Sequence, residues 1–191
     1  MPIQILNNIK SFVNLNDQEE QAFINILQVK NLKKKELLLQ EGQVCDVITF
    51  INKGVFRIFH TIDGVENTFQ FFFSDSWHTD YESFLMGNPT RENLQALEEC
   101  QVVQFKKQDL LKLYITHPVF EKVGRVFAEN AFLGVYNLYK MKTNEDPEER
   151  YLNLLKQRPE VVERIPQHYI ASYLGIKPES LSRIRGRIVK S

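Results

Sequence analysis

The chain has 191 residues, 43% of them hydrophobic, and its 24 lysines and arginines balance 24 aspartates and glutamates. That length accommodates one large or two small domains with a substantial core. No apolar run reaches the length of a membrane span and no stretch reads as a signal peptide, so a cytoplasmic protein is expected, with Cys45 and Cys100 as ordinary thiols.

Near the N-terminus, Asn16-Asp17-Gln18-Glu19 has the spacing of a capping box and precedes apolar Ala22, Phe23, Ile26 and Leu27, which predicts a helix. From Lys35 to Phe105 the pattern shortens. Runs rich in Val, Ile, Phe and Thr at 36–39, 47–52, 55–61, 67–73, 94–97 and 102–105 are punctuated by Gly42, Gly54, Asp63-Gly64 and Gly87. Strands at that spacing predict an antiparallel double-sheet roll.

Beyond the roll, Val119, Phe120, Val123, Val126, Phe127, Phe132, Val135, Tyr136 and Tyr139 recur at three- and four-residue intervals. A long helix apolar on more than one side needs two partners, so one face should cover its own roll and the other a second copy. Val119, Phe120, Val123, Phe127, Phe132, Val135 and Tyr136 are the candidate dimer interface. Asn144-Glu145-Asp146-Pro147 reads as a hinge, with Pro147 opening a helix to Gln157 that carries Tyr151, Leu152, Leu154 and Leu155.

Residues 165–189 read as a helix-turn-helix. Ile170, Leu174, Ile176, Leu181 and Ile184 would share one small core, and Ala171 is small where the two helices meet. Gly175 supplies a left-handed turn residue and Pro178 starts the second helix. On that helix Leu181, Ile184 and Ile188 face inward, while Glu179, Ser182, Arg183, Gly186 and Lys190 face outward with Arg187 at their flank. Such a face suits base edges and phosphates. Gly186 costs helix stability; close approach of another backbone and a tolerated surface glycine both account for it. Residues 150–191 hold nine lysines and arginines against three acidic residues, a basic tail on an acidic body.

These features together resemble the Crp/Fnr superfamily of bacterial transcription regulators. Glu41-Gly42 through Arg57 looks like the opening of a cyclic-nucleotide-binding β-roll, and Glu179-Ser180-Leu181-Ser182-Arg183 resembles the family's Glu-x-x-Ser-Arg reading motif. The resemblance implies an α+β fold. It comprises a double-stranded β-helix (jelly-roll) domain over 1–116, a dimerisation helix over 117–144 and a helix-turn-helix domain over 145–191 without an obvious wing. It further implies that Glu179, Ser182 and Arg183 read bases in a palindrome with TTGA-like half-sites. Lys177, Ser180, Arg185, Arg187 and Lys190 are the expected phosphate contacts. The implied partners are double-stranded DNA, a second copy of the chain, RNA polymerase and a small-molecule effector.

In family members that bind cyclic AMP, a Gly-Glu pair engages the ribose and an Arg followed by a small residue clamps the phosphate. Here Glu82 and Arg91 can be matched, but Tyr81 replaces the glycine and Glu92 follows the arginine. A buried carboxylate beside the phosphate would repel it, so an effector other than cyclic AMP is expected. Glu82, Arg91, Glu92 and Trp77 are the candidate pocket, with Glu82 and Arg91 also able to form a structural ion pair.

No cofactor, metal or catalytic residue is expected. An iron-sulfur cluster needs about four thiolates, and His60, His78 and His117 are haem-ligand candidates by residue type alone. No His-x-His pair, nucleophile elbow or phosphate-binding glycine loop occurs. The rival reading is a non-catalytic β-roll interaction or ligand-sensing protein without specific DNA binding.

Overall fold

In the computed structural model, which describes residues 3–188, the alternating apolar runs become strands and the helical-period runs become helices. Two short helices, α1 (Ile3–Lys10) and α2 (Asp17–Ile24), precede β1 (Gln28–Leu32), β2 (Leu37–Leu39), β3 (Val47–Lys53), β4 (Phe56–Ile62), β5 (Val65–Phe72) and β6 (Trp77–His78). Helix α3 (Tyr81–Met86) then leads to β7 (Asn93–Ala96) and β8 (Cys100–Lys106). The rest is helical: α4 (Lys107–Thr116), α5 (Val119–Asn144), α6 (Pro147–Gln157), α7 (Pro159–Arg164), α8 (Gln167–Leu174) and α9 (Pro178–Ile188). The strands form two four-stranded sheets, ordered β1-β8-β3-β6 and β2-β7-β4-β5. This is the expected roll, mixed α+β. Strands β1 and β6 go beyond the runs marked in the sequence: β1 is mostly exposed and β6 has two residues, so neither carries a period-two signal.

Strand β3 is buried on both faces over Ile48–Ile51, where Thr49 is the one polar residue in an apolar run. Ile48 and Phe50 join a core with Val103 and Phe105 of β8, Ile5 and Ile9 of α1, Phe23 of α2 and Leu110 and Leu113 of α4. Thr49 alternates to the opposite face, where its hydroxyl accepts from Gln104 Nε2 at 2.8 Å. The α2 capping box is formed: Asn16 accepts from the Glu19 amide, and Glu19 accepts from the Asn16 amide. Cys45 and Cys100 are buried thiols. Gly54, at φ +105°, lies so close to Cys100 that an added Cβ would collide with its thiol.

By its contacts the chain divides into two units. One runs to Ile58 and resumes over Phe71–Ala131; the other takes Phe59–Gln70 and the chain from Phe132 onward. The tip of the β4–β5 hairpin thus belongs with the C-terminal helices, and the first half of α5 belongs with the roll, a division the sequence pattern did not suggest.

That division corrects the expected dimer face. Phe120, Val123 and Phe127 are buried in the roll's own core and Val119 packs against it, so the first three retain almost no surface to bury against a second copy. Their spacing alone did not distinguish an intramolecular partner from an intermolecular one. In the second half of α5, Phe132, Val135 and Tyr136 are 70%, 59% and 49% exposed, accompanied by exposed Leu133 and Tyr139.

Candidate nucleic-acid interface and effector site

The helix-turn-helix is built on the residues that composition and spacing require. Ile170, Ala171, Leu174, Leu181 and Ile184 are buried, and Gly175 adopts φ +70° at the end of α8. Pro178 opens α9. Asp146 caps α6 in a capping box with Glu149, and Pro147 occupies its first turn. Arg150, which sequence reasoning did not single out, sends its guanidinium to the Leu174 carbonyl at 2.6 Å. It thereby satisfies an orphan acceptor at the end of α8 and ties the pair of helices to α6.

With Leu181 and Ile184 facing inward, α9 turns Glu179, Ser182, Arg183 and Arg187 to solvent, with Ser180 and Arg185 half-buried and Lys177 exposed just ahead of the helix. Ser180, Arg183, Ile184, Gly186 and Arg187 line an open groove of about 720 Å³. Arg183 donates to the Ser180 hydroxyl at 3.2 Å, which orients the arginine along the helix. Arg187 pairs with Glu148 of α6 at 2.8 Å, a partner not foreseen from sequence. An added Cβ at Gly186 would meet nothing within 4 Å, so no backbone among the described residues accounts for that glycine. Lys190 lies outside the described residues. Among the described residues, the segment before α8 forms helix α7 and no strand.

In the same unit the hairpin tip is stitched to α8. The Ser172 hydroxyl accepts from the Thr68 amide at 2.8 Å and donates to the Glu66 carbonyl at 3.4 Å, while Arg158 reaches Gln70 at 3.0 Å.

The expected effector residues do not converge. Glu82 and Arg91 are both exposed, and among the described residues no ion pair joins them. Trp77 belongs to the core: its indole packs on Phe50 and Phe127, and its N–H donates to Asn8 at 2.7 Å. Adjacent residues of a strand face opposite ways, which places Trp77 with the helices and His78 on the other face, beside Phe72.

Only Glu92 of the expected four reaches that other face. Its Oε2 lies 3.7 Å from His78 Nε2, the two side chains being 21% and 5% exposed, and neither atom has a hydrogen-bond partner. Burial, and then the nearby Asp80 carboxylate, push the Glu92 carboxyl up to about 8, while burial lowers His78 to about 4. Near neutral pH both groups are therefore uncharged, and the contact is not an ion pair. Asp80 caps α3, accepting from the Ser83 amide at 3.2 Å and the Thr90 hydroxyl at 2.5 Å. The Glu92 amide donates to Thr90 Oγ1 at 2.9 Å. Asp80 and Thr90 escaped the sequence reading, which weighed His78 only as a haem-ligand candidate, although a capping Asp three residues ahead of Ser83 is a recognisable signal.

Residues 29–117 match the sequence model of the cyclic nucleotide-binding domain. The chain as a whole has the fold of the Crp/Fnr regulators. It resembles FixK2 from Bradyrhizobium japonicum with a TM-score of 0.73 at 15% identity, over 86% of this chain and 85% of that one. A putative regulator of the Crp/Fnr family from Eubacterium rectale gives 0.71 at 16% identity over 92% and 85%. The catabolite activator protein of Thermus thermophilus gives 0.54 at 17% over 96% and 87%. No curated protein sequence matches the chain. Within the matched residues, the His78–Glu92 contact bridges β6 and the segment entering β7. No helix among the described residues is long and apolar enough to cross a membrane.

Proposed function

We propose that this protein is a homodimeric DNA-binding transcription regulator, cytoplasmic and without catalytic activity. The observation that carries the reading is the outer face of α9, where Glu179, Ser182 and Arg183 stand exposed together on a helix whose opposite side is locked into the helix-turn-helix core. In this reading Arg183 makes paired hydrogen bonds to guanine O6 and N7, Glu179 accepts from cytosine N4 and Ser182 assists. Lys177, Ser180, Arg185 and Arg187 contact phosphates, Arg187 exchanging its Glu148 partner for the backbone. Two copies paired through Phe132, Val135 and Tyr136 place two recognition helices on a palindrome with TTGA-like half-sites, because one helix-turn-helix covers only a half-site. RNA polymerase is the proposed partner of the DNA-bound dimer.

The effector, in this reading, is not cyclic AMP. An anionic phosphate needs an inward-facing positive charge, yet Arg91 is exposed, Asp80 and Glu92 supply carboxyl groups inside, and the buried Arg57 guanidinium is held by Gln95 at 2.8 Å and 3.0 Å. The test is selection of bound sequences from a random duplex pool at moderate salt, followed by Arg183→Ala on the enriched site. Enrichment of a two-fold symmetric site is expected, with a loss of about 1 to 3 kcal/mol for the variant on that site and much less on random DNA. Equal losses on both would reduce Arg183 to a phosphate contact. Failure of any sequence to enrich would favour a non-catalytic interaction protein.

A further inference from the structure

Inside the roll, four polar residues from three segments meet: His78 of β6, Asp80 at the start of α3, and Thr90 and Glu92 on the approach to β7. They form a clasp. Thr90 donates to Asp80 and accepts from the Glu92 amide, and Ser83 Oγ donates to the Asn88 carbonyl at 2.6 Å while accepting from the Cys45 amide at 2.8 Å. The segment 87–92 is thus held at both ends. One wall of the clasp consists of His78 Nε2 and Glu92 Oε2, buried and without hydrogen-bond partners.

A buried polar atom without a partner is costly, and a buried charge without one costs more. Among the described residues, the neighbours placed against this pair by β3, β8 and β5 carry no charge, and the buried Arg57 of β4 is engaged by Gln95. Thr49 is paired in register with His78 on β3, Gln104 of β8 is hydrogen-bonded to Thr49, and Phe72 of β5 lies against the imidazole; all three are uncharged. Arg91 is turned to solvent, and the charge acting on both His78 and Glu92 is the Asp80 carboxylate, which opposes a second negative charge.

We infer that the His78–Glu92 pair is a proton-binding site of the β-roll domain, and that loss of its proton from Glu92 opens the Asp80–Thr90–Glu92 clasp. The Glu92 carboxylate is then unsolvated on its buried side and repelled by Asp80. It relieves both penalties by swinging towards water, which withdraws the Glu92 amide from Thr90 and loosens 87–92. The ligand of this site is the proton itself. The inference concerns the roll alone and stands apart from DNA binding.

Hydrogen exchange of the intact protein, corrected for the intrinsic pH dependence of amide exchange, tests it. Peptides spanning 80–93 are compared at pH 6.5 and pH 9. In the unsubstituted chain their protection is expected to fall about tenfold, the factor for working one pH unit beyond the midpoint at about 8. Glu92→Gln, which keeps the size of the neutral acid and cannot ionise, should retain protection at both pH values. Thr90→Val, which removes the hydroxyl, should be unprotected at both, showing that the peptides report the clasp. Equal protection of the unsubstituted chain at the two pH values overturns the inference. So does an equal loss in Glu92→Gln.

Discussion

Glu92 shows how one side chain sets a pH dependence. Its carboxyl is raised from its ordinary 4.5 to about 8 by burial, so it favours the folded state below the ordinary value and loses that contribution as pH rises to about 8. His78 has the opposite sign. Lowered from 6.5 to about 4 by burial, it favours the fold above 6.5 and loses that contribution as pH falls towards 4. The two slopes oppose one another between 4.5 and 6.5, and Glu92 acts alone above. Denaturant titrations should therefore show stability falling by about 2 kcal/mol from pH 6.5 to 8, at 1.36 kcal/mol per unit, with Glu92→Gln removing most of that fall. Gly186 poses a different residue-scale question. Open space at its Cβ position means that Gly186→Ala should raise helix stability by about 1 kcal/mol. If its role is close approach to DNA, the same variant should weaken operator binding, which thermal melts and binding isotherms on one preparation would show.

Helix α5 carries the clearest element-scale consequence. Its first half is committed to the roll through Phe120, Val123 and Phe127, so the surface left for a second copy lies around Phe132, Leu133, Val135, Tyr136 and Tyr139. Burying this exposed apolar face is favourable at about 25 cal/mol per Å². Phe132→Glu combined with Tyr136→Glu should convert the proposed dimer to a monomer in sedimentation equilibrium while leaving the roll folded. Val123→Glu should instead unfold the roll, because that site is interior. A dimer unaffected by the double substitution would place the interface elsewhere. The helix was legible in the sequence because its apolar period is long and regular. Its division between partners was not, because a three- and four-residue period marks an apolar face and says nothing of what covers it.

At the scale of the whole molecule, the near-neutral sequence separates a basic C-terminal segment from an acidic remainder. Affinity for duplex DNA should therefore fall steeply with salt, each neutralised phosphate adding roughly 0.9 to the logarithmic slope. Arg187→Ala should reduce that slope by about 1 with little change in sequence preference. Glu148→Gln tests the same arginine from the other side: with its exposed ion partner removed, Arg187 is more available to phosphate, and affinity at low salt should rise slightly. An unchanged slope for Arg187→Ala would remove it from the phosphate contacts.

Local chemistry made the helix-turn-helix legible from sequence. Gly175 at positive φ, Pro178 at a helix start and Leu181 and Ile184 on one face are all fixed by residues within a few positions of each other. The same holds for the Asn16 cap, the start of α6 at Pro147 and most strands of the roll. Where the expected effector residues fall was decided by tertiary structure. Glu82, Arg91 and Glu92 lie close in sequence, but Glu82 and Arg91 point to solvent while Glu92 turns in to meet His78, fourteen residues earlier. Trp77 and His78 are neighbours in sequence and part ways because a strand alternates its faces. Pairing of this kind depends on which strands the roll brings together, and a linear pattern does not encode that. It was three-dimensional burial that removed water from Glu92 and made an ordinary carboxyl a group that holds its proton at neutral pH.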